Sequence, residues 1–159
     1  MANRRRKILI MGLSGTGKTS LSLKLAPMIG AVHFNADEVR RHISRDLGFC
    51  HADRLEQARR MSWLCDKVVE AGGTAIADFI CPTEETRTAF NPTFTIWVDR
   101  IEASKYDDTN QMFVPPRRFD VRVSRGGTPD EWAQRIAYRL RKETDQTLKQ
   151  TNVLLPADY

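Results

Sequence analysis

The chain has 159 residues, of which 41% are hydrophobic and 28% charged, a size and composition typical of one compact domain. Its formal net charge is +5 and its pI is about 9.4, which favours anionic ligands. The sequence has no apolar run long enough for a membrane helix and no signal-peptide pattern, so we expect no membrane partner. The three cysteines form no CxxC pair, which is typical of reduced thiols in a cytoplasmic protein.

The most basic segment, Arg4–Lys7, precedes the first predicted strand. Such clusters are most often solvated flanks, and we favour that interpretation. A contact with nucleic acid is the alternative, and the basic pI allows it. Nucleic acid is therefore a less favoured partner than a small anionic molecule.

One stretch fits the phosphate-binding loop pattern G-x-x-x-x-G-K-[ST]; it reads Gly12-Leu13-Ser14-Gly15-Thr16-Gly17-Lys18-Thr19. A strand at 7–12 precedes it and a helix at 17–28 follows, which is the context that the pattern requires. Backbone N–H groups at such a helix start bind phosphate, Lys18 reaches the β- and γ-phosphates, and Thr19 binds Mg²⁺. We therefore expect ATP and Mg²⁺ as cofactors, bound by Gly12, Ser14, Gly15, Thr16, Gly17, Lys18, Thr19 and Ser20.

Strands and helices alternate along the rest of the chain. Strands are predicted at 31–34, 74–79, 94–98 and 119–123, and helices from Asn35, over 53–71, over 82–90 and after Thr128. The order predicts a single α/β domain over residues 1–159, with a three-layer P-loop NTPase fold. Its parallel, roughly five-stranded sheet has helices on both faces. Residues 99–119 lack periodicity and are predicted to form a lid-like loop, and residues 150–159 a C-terminal tail.

Polar residues follow two of the predicted strands, at the sheet edge where open α/β proteins bind ligands. Asn35 and Asp37 follow the second strand, and Asp78 ends the third. A kinase needs one carboxylate to hold Mg²⁺ and another to orient the accepting hydroxyl. Asp78 fits the first role and Asp37 the second, although the reverse assignment is open. Asn35 also suits a helix cap, and Asp37 a first-turn acidic residue.

Several motifs together resemble the adenylylsulfate kinase family. They are Gly12–Thr19, Asp37 with Arg40, Asp46-Leu47-Gly48-Phe49, Asp53-Arg54 with Arg59-Arg60, and Phe79-Ile80-Cys81-Pro82. Members of this family pass the γ-phosphate of ATP to the 3′-hydroxyl of adenosine 5′-phosphosulfate. The resemblance implies the same activity here, in sulfate assimilation, and it admits a homodimer. It spans residues 8–90.

The resemblance also implies a substrate site made of Asp37, Arg40, Phe49, Arg54, Gln57 and Ile80, with Lys18 and Asp37 as the catalytic residues. In the family, an aromatic ring at the Phe49 position lies against the adenine, and an arginine at the Arg54 position contacts the phosphosulfate. Arginines and an aromatic face suit an anionic nucleotide on physical grounds as well. Taken alone, Phe49 is equally consistent with a core position, and Arg59 and Arg60 with a solvated helix face.

Two departures from the family pattern stand out. Asn35 replaces the first aspartate of the family's Asp-Gly-Asp-Asn, and Asp78 replaces a serine, so the metal-binding carboxylate is hypothesised to have moved to Asp78. The lid region is shorter and divergent. Phe113 is a candidate to cover a base, and Lys105, Arg117 and Arg118 are candidates to meet phosphates, with a plain connecting loop as the alternative.

Because the lid diverges, two other classes of function stay open. One is a P-loop kinase for another hydroxyl, on a sugar, an antibiotic, a nucleoside or the 5′ end of a polynucleotide. The other is a nucleotide-binding module without chemistry, against which the presence of Lys18, Asp37 and Asp78 argues. Simple ATP hydrolysis is less favoured, since no water-positioning residue stands out.

Overall fold

A computed structural model describes residues 5–153. The strands are β1 (Lys7–Met11), β2 (Ala31–Asn35), β3 (Thr74–Asp78), β4 (Phe94–Val98) and β5 (Val121–Val123). The helices are α1 (Lys18–Ile29), α2 (Ala36–His42), α3 (His51–Glu70), α4 (Glu84–Phe90), α5 (Asp107–Met112) and α6 (Pro129–Val153). The predicted alternation of strands and helices is confirmed, with ends shifted by a few residues.

All strand pairs in the described sheet are parallel, and the strand order is β2-β3-β1-β4-β5. The chain moves from the central β1 to one edge and then to the other, so the direction of winding changes next to β1. Ligands bind at such a switch point, beyond the carboxyl ends of the strands. The predicted fold, a parallel five-stranded sheet covered by helices, is confirmed.

Helices cover both faces of the sheet because side chains alternate along buried strands. Ile8 and Ile10 of β1 face a core formed with α1 and α6, whereas Leu9 and Met11 face a second core formed with α3 and α4. All four side chains are fully buried. The result is a rigid platform that fixes the loop after β1 and the side chains at the ends of β2 and β3.

Side-chain caps start the helices that border this edge. Asn35 accepts a hydrogen bond from the backbone N–H of Glu38, so its predicted capping role is confirmed. Thr83 and Thr86 cap α4 reciprocally, which places the start of that helix after Pro82.

The structure corrects the expectation that Arg4–Lys7 is a solvated flank at two of its residues, Arg6 and Lys7, whereas Arg5 is exposed. Arg6 is buried and pairs with Glu143 at 3.1 Å. Lys7 is buried as well, and its Nζ lies 2.7 Å from Asp66 Oδ1. Both arginine and lysine therefore tie the start of β1 to neighbouring helices, while Arg4 lies outside the described residues.

The segment 99–119 contains a short helix that the sequence does not predict. Helix α5 is Asp-Asp-Thr-Asn-Gln-Met, which has no apolar stripe to produce a periodic pattern. Its start is supported by Asn110, whose side chain accepts from the Ser104 backbone N–H at 2.8 Å. Toward the C-terminus, residues 150–153 belong to α6, and the rest of the predicted tail lies outside the described residues. Across residues 5–153, no helix combines the length and apolarity needed to cross a membrane.

Candidate functional site

A cavity of about 720 Å³ opens at the carboxyl edge of the sheet, between the loop after β1 and helices α2, α3 and α5. Most residues that the sequence assigns to the site line it. They are Ser14, Gly15, Gly17, Lys18, Thr19, Ser20, Asp37, Arg40, Phe49, Arg54, Gln57, Asp78 and Ile80. Of the predicted phosphate-loop residues, Gly12 and Thr16 do not line it.

Gly12 and Thr16 instead shape the loop. A Cβ on Gly12 would stand 2.4 Å from the carbonyl oxygen of Val98, and its φ of +149° is one that side-chain-bearing residues rarely adopt. Thr16 is buried, and its hydroxyl donates to the carbonyl of Leu13 at 2.8 Å. These two residues therefore fix the curvature that directs the remaining loop residues into the cavity.

Lys18 is the cation of the phosphate loop, and it is buried. Its ammonium donates to the carbonyl of Leu13 at 2.7 Å. Burial lowers the pKa of Lys18 to about 8, a shift that the charges of Asp78 and Asp37 partly oppose. The lysine is thus held beside the loop with two carboxylates in electrostatic reach.

Asp78 is the centre of a polar cluster at the ends of β2 and β3. It is 2% exposed, and its Oδ1 accepts from the hydroxyl of Thr19 at 3.2 Å. Its Oδ2 lies 2.6 Å from His33 Nε2 and accepts from the Asn35 amide at 3.2 Å. The register of the parallel pair places Asn35 directly beside Asp78. The Asn35 amide also lies 3.3 Å from Oδ1, so the two carboxylate oxygens differ in that His33 contacts Oδ2 and Thr19 of the phosphate loop contacts Oδ1.

The sequence interpretation missed His33. Side chains alternate along a strand, so His33 and Asn35 lie on the same side of β2. The position of His33 two residues before Asn35 was therefore the signal that could have placed it in the site. The amide of Asn35 also donates to the Thr19 hydroxyl at 3.1 Å, so this residue both caps α2 and belongs to the cluster.

The cluster has the donor chemistry that Mg²⁺ requires. A hydroxyl from Thr19 and a carboxylate from Asp78 lie within hydrogen-bond distance of each other, and Mg²⁺ prefers oxygen ligands. Within residues 5–153, no three His, Cys, Asp or Glu side chains are grouped so as to hold a metal by themselves. Mg²⁺ usually keeps waters and binds through one or two carboxylates together with substrate phosphates, so Thr19 and Asp78 would be sufficient protein ligands.

A second group of side chains lies across the cavity. Phe49 is 60% exposed, which rules out the core position considered from the sequence. The guanidinium of Arg40 lies 4.5 Å from the centre of its ring, and that of Arg54 lies 5.6 Å away. Arg54 is buried and donates through Nε to the carbonyl of Phe49 at 2.8 Å. An aromatic face and two cations are therefore grouped on one wall.

Arg40 and Asp37 project from α2 into the same cavity, where Asp37 is exposed. Arg40 donates to the carbonyl of Gly48 at 2.7 Å, and burial lowers its pKa. Gln57 is 2% exposed and donates to the carbonyl of Ala36 at 3.3 Å. Its Oε1 is buried without a hydrogen-bond partner among the described residues, which leaves an acceptor in a cavity-lining side chain.

The lid candidates named from the sequence do not line this cavity. Phe113 packs against the core beneath α3, with Arg87 over its ring, and Arg118 borders a separate surface cavity. Lys105 lies over the ring of Tyr106, and the backbone N–H of Arg117 donates to Glu84. The residues of this segment that do line the cavity are Tyr106, Asp108 and Thr109.

The two helical arginines are also outside the cavity. Arg60 pairs with Asp46 at 2.7 Å and with Glu56 at 3.1 Å, and Arg59 lies 3.6 Å from Glu56. The hydrogen bond from Arg60 lowers the pKa of Asp46 to about 2. Both arginines therefore take the solvated, ion-paired arrangement left open by the sequence.

Known proteins resemble this chain in both sequence and structure. The adenylylsulphate kinase family model matches residues 4–102. The adenylyl-sulfate kinase of Synechococcus sp. (strain JA-3-3Ab) is 35% identical over 92 residues, which are 55% of this chain and 52% of that protein. That of Shewanella sp. (strain ANA-3) is 36% identical over 88 residues, or 52% of this chain and 43% of that protein. The chain thus spans about half the length of the curated relatives it matches.

Solved structures agree on the fold. The Mycobacterium tuberculosis APS kinase in complex with AMPPNP and APS superposes with a TM-score of 0.75 and 22% identity, over 87% of this chain and 98% of that one. The hexameric APS kinase from Thiobacillus denitrificans gives a TM-score of 0.69 and 26% identity, over 88% of this chain and 30% of that one. With the family model matching more than half of its residues, the chain belongs to the adenylylsulfate kinase family.

Proposed function

We propose that this protein is an ATP-dependent kinase that transfers the γ-phosphate of ATP to the 3′-hydroxyl of adenosine 5′-phosphosulfate. The observation that carries the proposal is that one cavity joins a phosphate loop to a wall made of Arg40, Phe49 and Arg54. The first half can bind a triphosphate, and the second has the charge and flat apolar face that an anionic nucleotide requires. Family membership supports the same activity.

The phosphate loop and Lys18 would bind the β- and γ-phosphates. Backbone N–H groups at a helix start such as that of α1 are suited to bind an anion, and the helix dipole adds to their effect. A bound triphosphate would draw the Lys18 ammonium away from the Leu13 carbonyl and keep it protonated. Its charge would then stabilise the negative charge that is distributed over the transferred phosphoryl group.

Thr19 and Asp78 are the residues that would hold Mg²⁺. When bound, the metal would neutralise negative charge on the triphosphate. Asp78 would offer Oδ1, because this oxygen lies beside the Thr19 hydroxyl whereas His33 already engages Oδ2. Asp78 would thus take over the role of the aspartate that the family has at the position of Asn35.

The acceptor would bind against the opposite wall. Phe49 would stack on the adenine, Arg40 and Arg54 would attract the phosphosulfate, and Gln57 and Ile80 would line its binding site. Asp37 would orient the 3′-hydroxyl toward the γ-phosphate and accept its proton, which is the role of a kinase's catalytic carboxylate.

A direct product assay tests this proposal. The protein is mixed with Mg²⁺-ATP and adenosine 5′-phosphosulfate, and 3′-phosphoadenosine 5′-phosphosulfate is measured by chromatography. We expect product from the wild type and from Lys24→Ala, a matched control because Lys24 is an exposed lysine on the same helix. Lys18→Ala should form none. ATP binding without any product from the wild type would refute the proposed acceptor.

We also propose a cytoplasmic homodimer. Free thiols are consistent with a cytoplasmic location, and Cys50, Cys65 and Cys81 are all free. One chain has a mass of 18.2 kDa. Light scattering that gives twice this mass would support the homodimer, and the mass of one chain would contradict it.

A further inference from the structure

Helix α5 brings a carboxylate to the acceptor side of the cavity. Tyr106, Asp108 and Thr109 line the cavity, and they lie beyond residue 102, where the family match ends. Two of them contact Arg54: the Thr109 hydroxyl accepts from its Nη2 at 3.2 Å, and Asp108 Oδ2 lies 3.6 Å from the same nitrogen. An acidic residue is therefore placed beside the arginine expected to meet the anionic acceptor.

The contacts of Arg54 differ in how easily they exchange. Its Nε donates to the Phe49 carbonyl at 2.8 Å, and its Thr109 partner is 2% exposed. The Asp108 side chain is 65% exposed, and its separation from the guanidinium exceeds a normal hydrogen bond. Phe49 and Thr109 thus fix the position of Arg54, whereas Asp108 supplies charge and can move into solvent at little cost.

Charge on this side of the cavity is balanced without a ligand. Arg40 and Arg54 are the cations, and Asp37 and Asp108 are the acids that line the cavity with them. An anionic group that approaches Arg54 would meet the negative charge of Asp108 at close range. The acceptor has to displace this carboxylate or tolerate it.

We propose that Asp108 sets the affinity of the site for its acceptor by competing with the anionic group of that acceptor for Arg54. This inference rests on the proposed function, because it takes the phosphosulfate of adenosine 5′-phosphosulfate as that group. The carboxylate neutralises Arg54 in the empty site and is exchanged for the acceptor's anion on binding. It weakens the binding of anionic acceptors without being required for phosphoryl transfer.

Asp108→Asn tests the competition, and Asp107→Asn is its matched control. Both residues are exposed acids in the first turn of α5, so both variants lose the same charge near the same helix end. They differ in that Asp108 lines the cavity and Asp107 does not. Calorimetry on protein loaded with a non-hydrolysable ATP analogue gives the Kd for adenosine 5′-phosphosulfate. We expect Asp108→Asn to lower it about three- to tenfold, the size expected for removing one nearby charge in a partly solvated site. Asp107→Asn should leave it unchanged.

A second titration separates this inference from the proposed function. Inorganic sulfate is added to the same loaded proteins, whose phosphate loop is filled, and the Arg54 Nε–H resonance is followed by NMR. Tighter sulfate binding in Asp108→Asn alone supports the competition even if the wild type makes no 3′-phosphoadenosine 5′-phosphosulfate. Equal effects of the two variants, or no change or a loss of affinity in Asp108→Asn, would overturn it.

Discussion

The position of the metal-binding carboxylate can be tested by moving it. Asp78 stands where the family has serine, and Asn35 where the family has aspartate. The Asn35 amide nitrogen is 3.1 Å from the Thr19 hydroxyl, and Asp78 Oδ1 is 3.2 Å from it, so a carboxylate at either position can face Thr19. We therefore predict that Asp78→Ser abolishes most activity and that Asn35→Asp in the same chain restores it.

The magnitude follows from what each change removes. Loss of a partner of a metal ligand typically costs about 10–100-fold in metal affinity or activity, so loss of the ligand itself should cost at least about 100-fold. The double variant regains a carboxylate beside Thr19 but lacks the His33 contact, which acts on Asp78 Oδ2. Its rate should therefore recover to within about tenfold of the wild type.

The assay measures turnover as a function of Mg²⁺ concentration for the wild type, Asp78→Ser and the double variant. A parallel titration of nucleotide without metal shows whether the phosphate loop is intact, and all three proteins should bind nucleotide equally there. If the double variant is as inactive as Asp78→Ser, or if Asp78→Ser keeps the wild-type rate and Mg²⁺ dependence, the assignment of the metal-binding carboxylate to Asp78 is wrong.

Three further variants examine other parts of the site. His33→Ala should raise the Mg²⁺ concentration needed for half-maximal rate about tenfold and leave the affinity for metal-free nucleotide unchanged, whereas His33→Gln should restore part of the loss. Equal Mg²⁺ dependence in the wild type and both variants would contradict a positioning role for His33. Phe49→Ala should raise the KM for the acceptor about 5- to 100-fold through lost base stacking, while Phe49→Trp stays close to wild type and both keep the wild-type melting temperature. Because burial lowers the pKa of Lys18 to about 8 and bound phosphates would raise it, ATP affinity should fall as the pH rises above 8, and binding there should take up a proton. Calorimetry in buffers of different ionisation enthalpy measures that uptake, which should be absent in Lys18→Ala.

Sequence reasoning succeeded where local chemistry determines the structure. The phosphate loop is set by a short motif between a strand and a helix, and the positive φ of Gly12 shows why that residue type is needed. The proximity of Asn35 and Asp78 could be predicted because parallel strands end at the same sheet edge.

The features that the sequence did not reveal depend on distant partners. Arg6 and Lys7 resemble a solvated basic flank until Glu143 and Asp66 are brought beside them by the fold. Helix α5 is short and polar, so no apolar periodicity marks it, and its contact with Arg54 joins residues far apart in sequence. On the acceptor side of the cavity, the sequence therefore predicted Arg40, Phe49 and Arg54 but not the residues of α5.

We propose that this cavity serves adenosine 5′-phosphosulfate rather than another hydroxyl compound. The most direct measurement compares kcat/KM for that acceptor with values for a nucleoside, a sugar, an aminoglycoside antibiotic and a 5′-hydroxyl oligonucleotide, all with Mg²⁺-ATP. We expect adenosine 5′-phosphosulfate to give the highest value by at least about 100-fold, because it alone combines a phosphosulfate for Arg40 and Arg54 with an adenine for Phe49. A higher value for any other acceptor would contradict it.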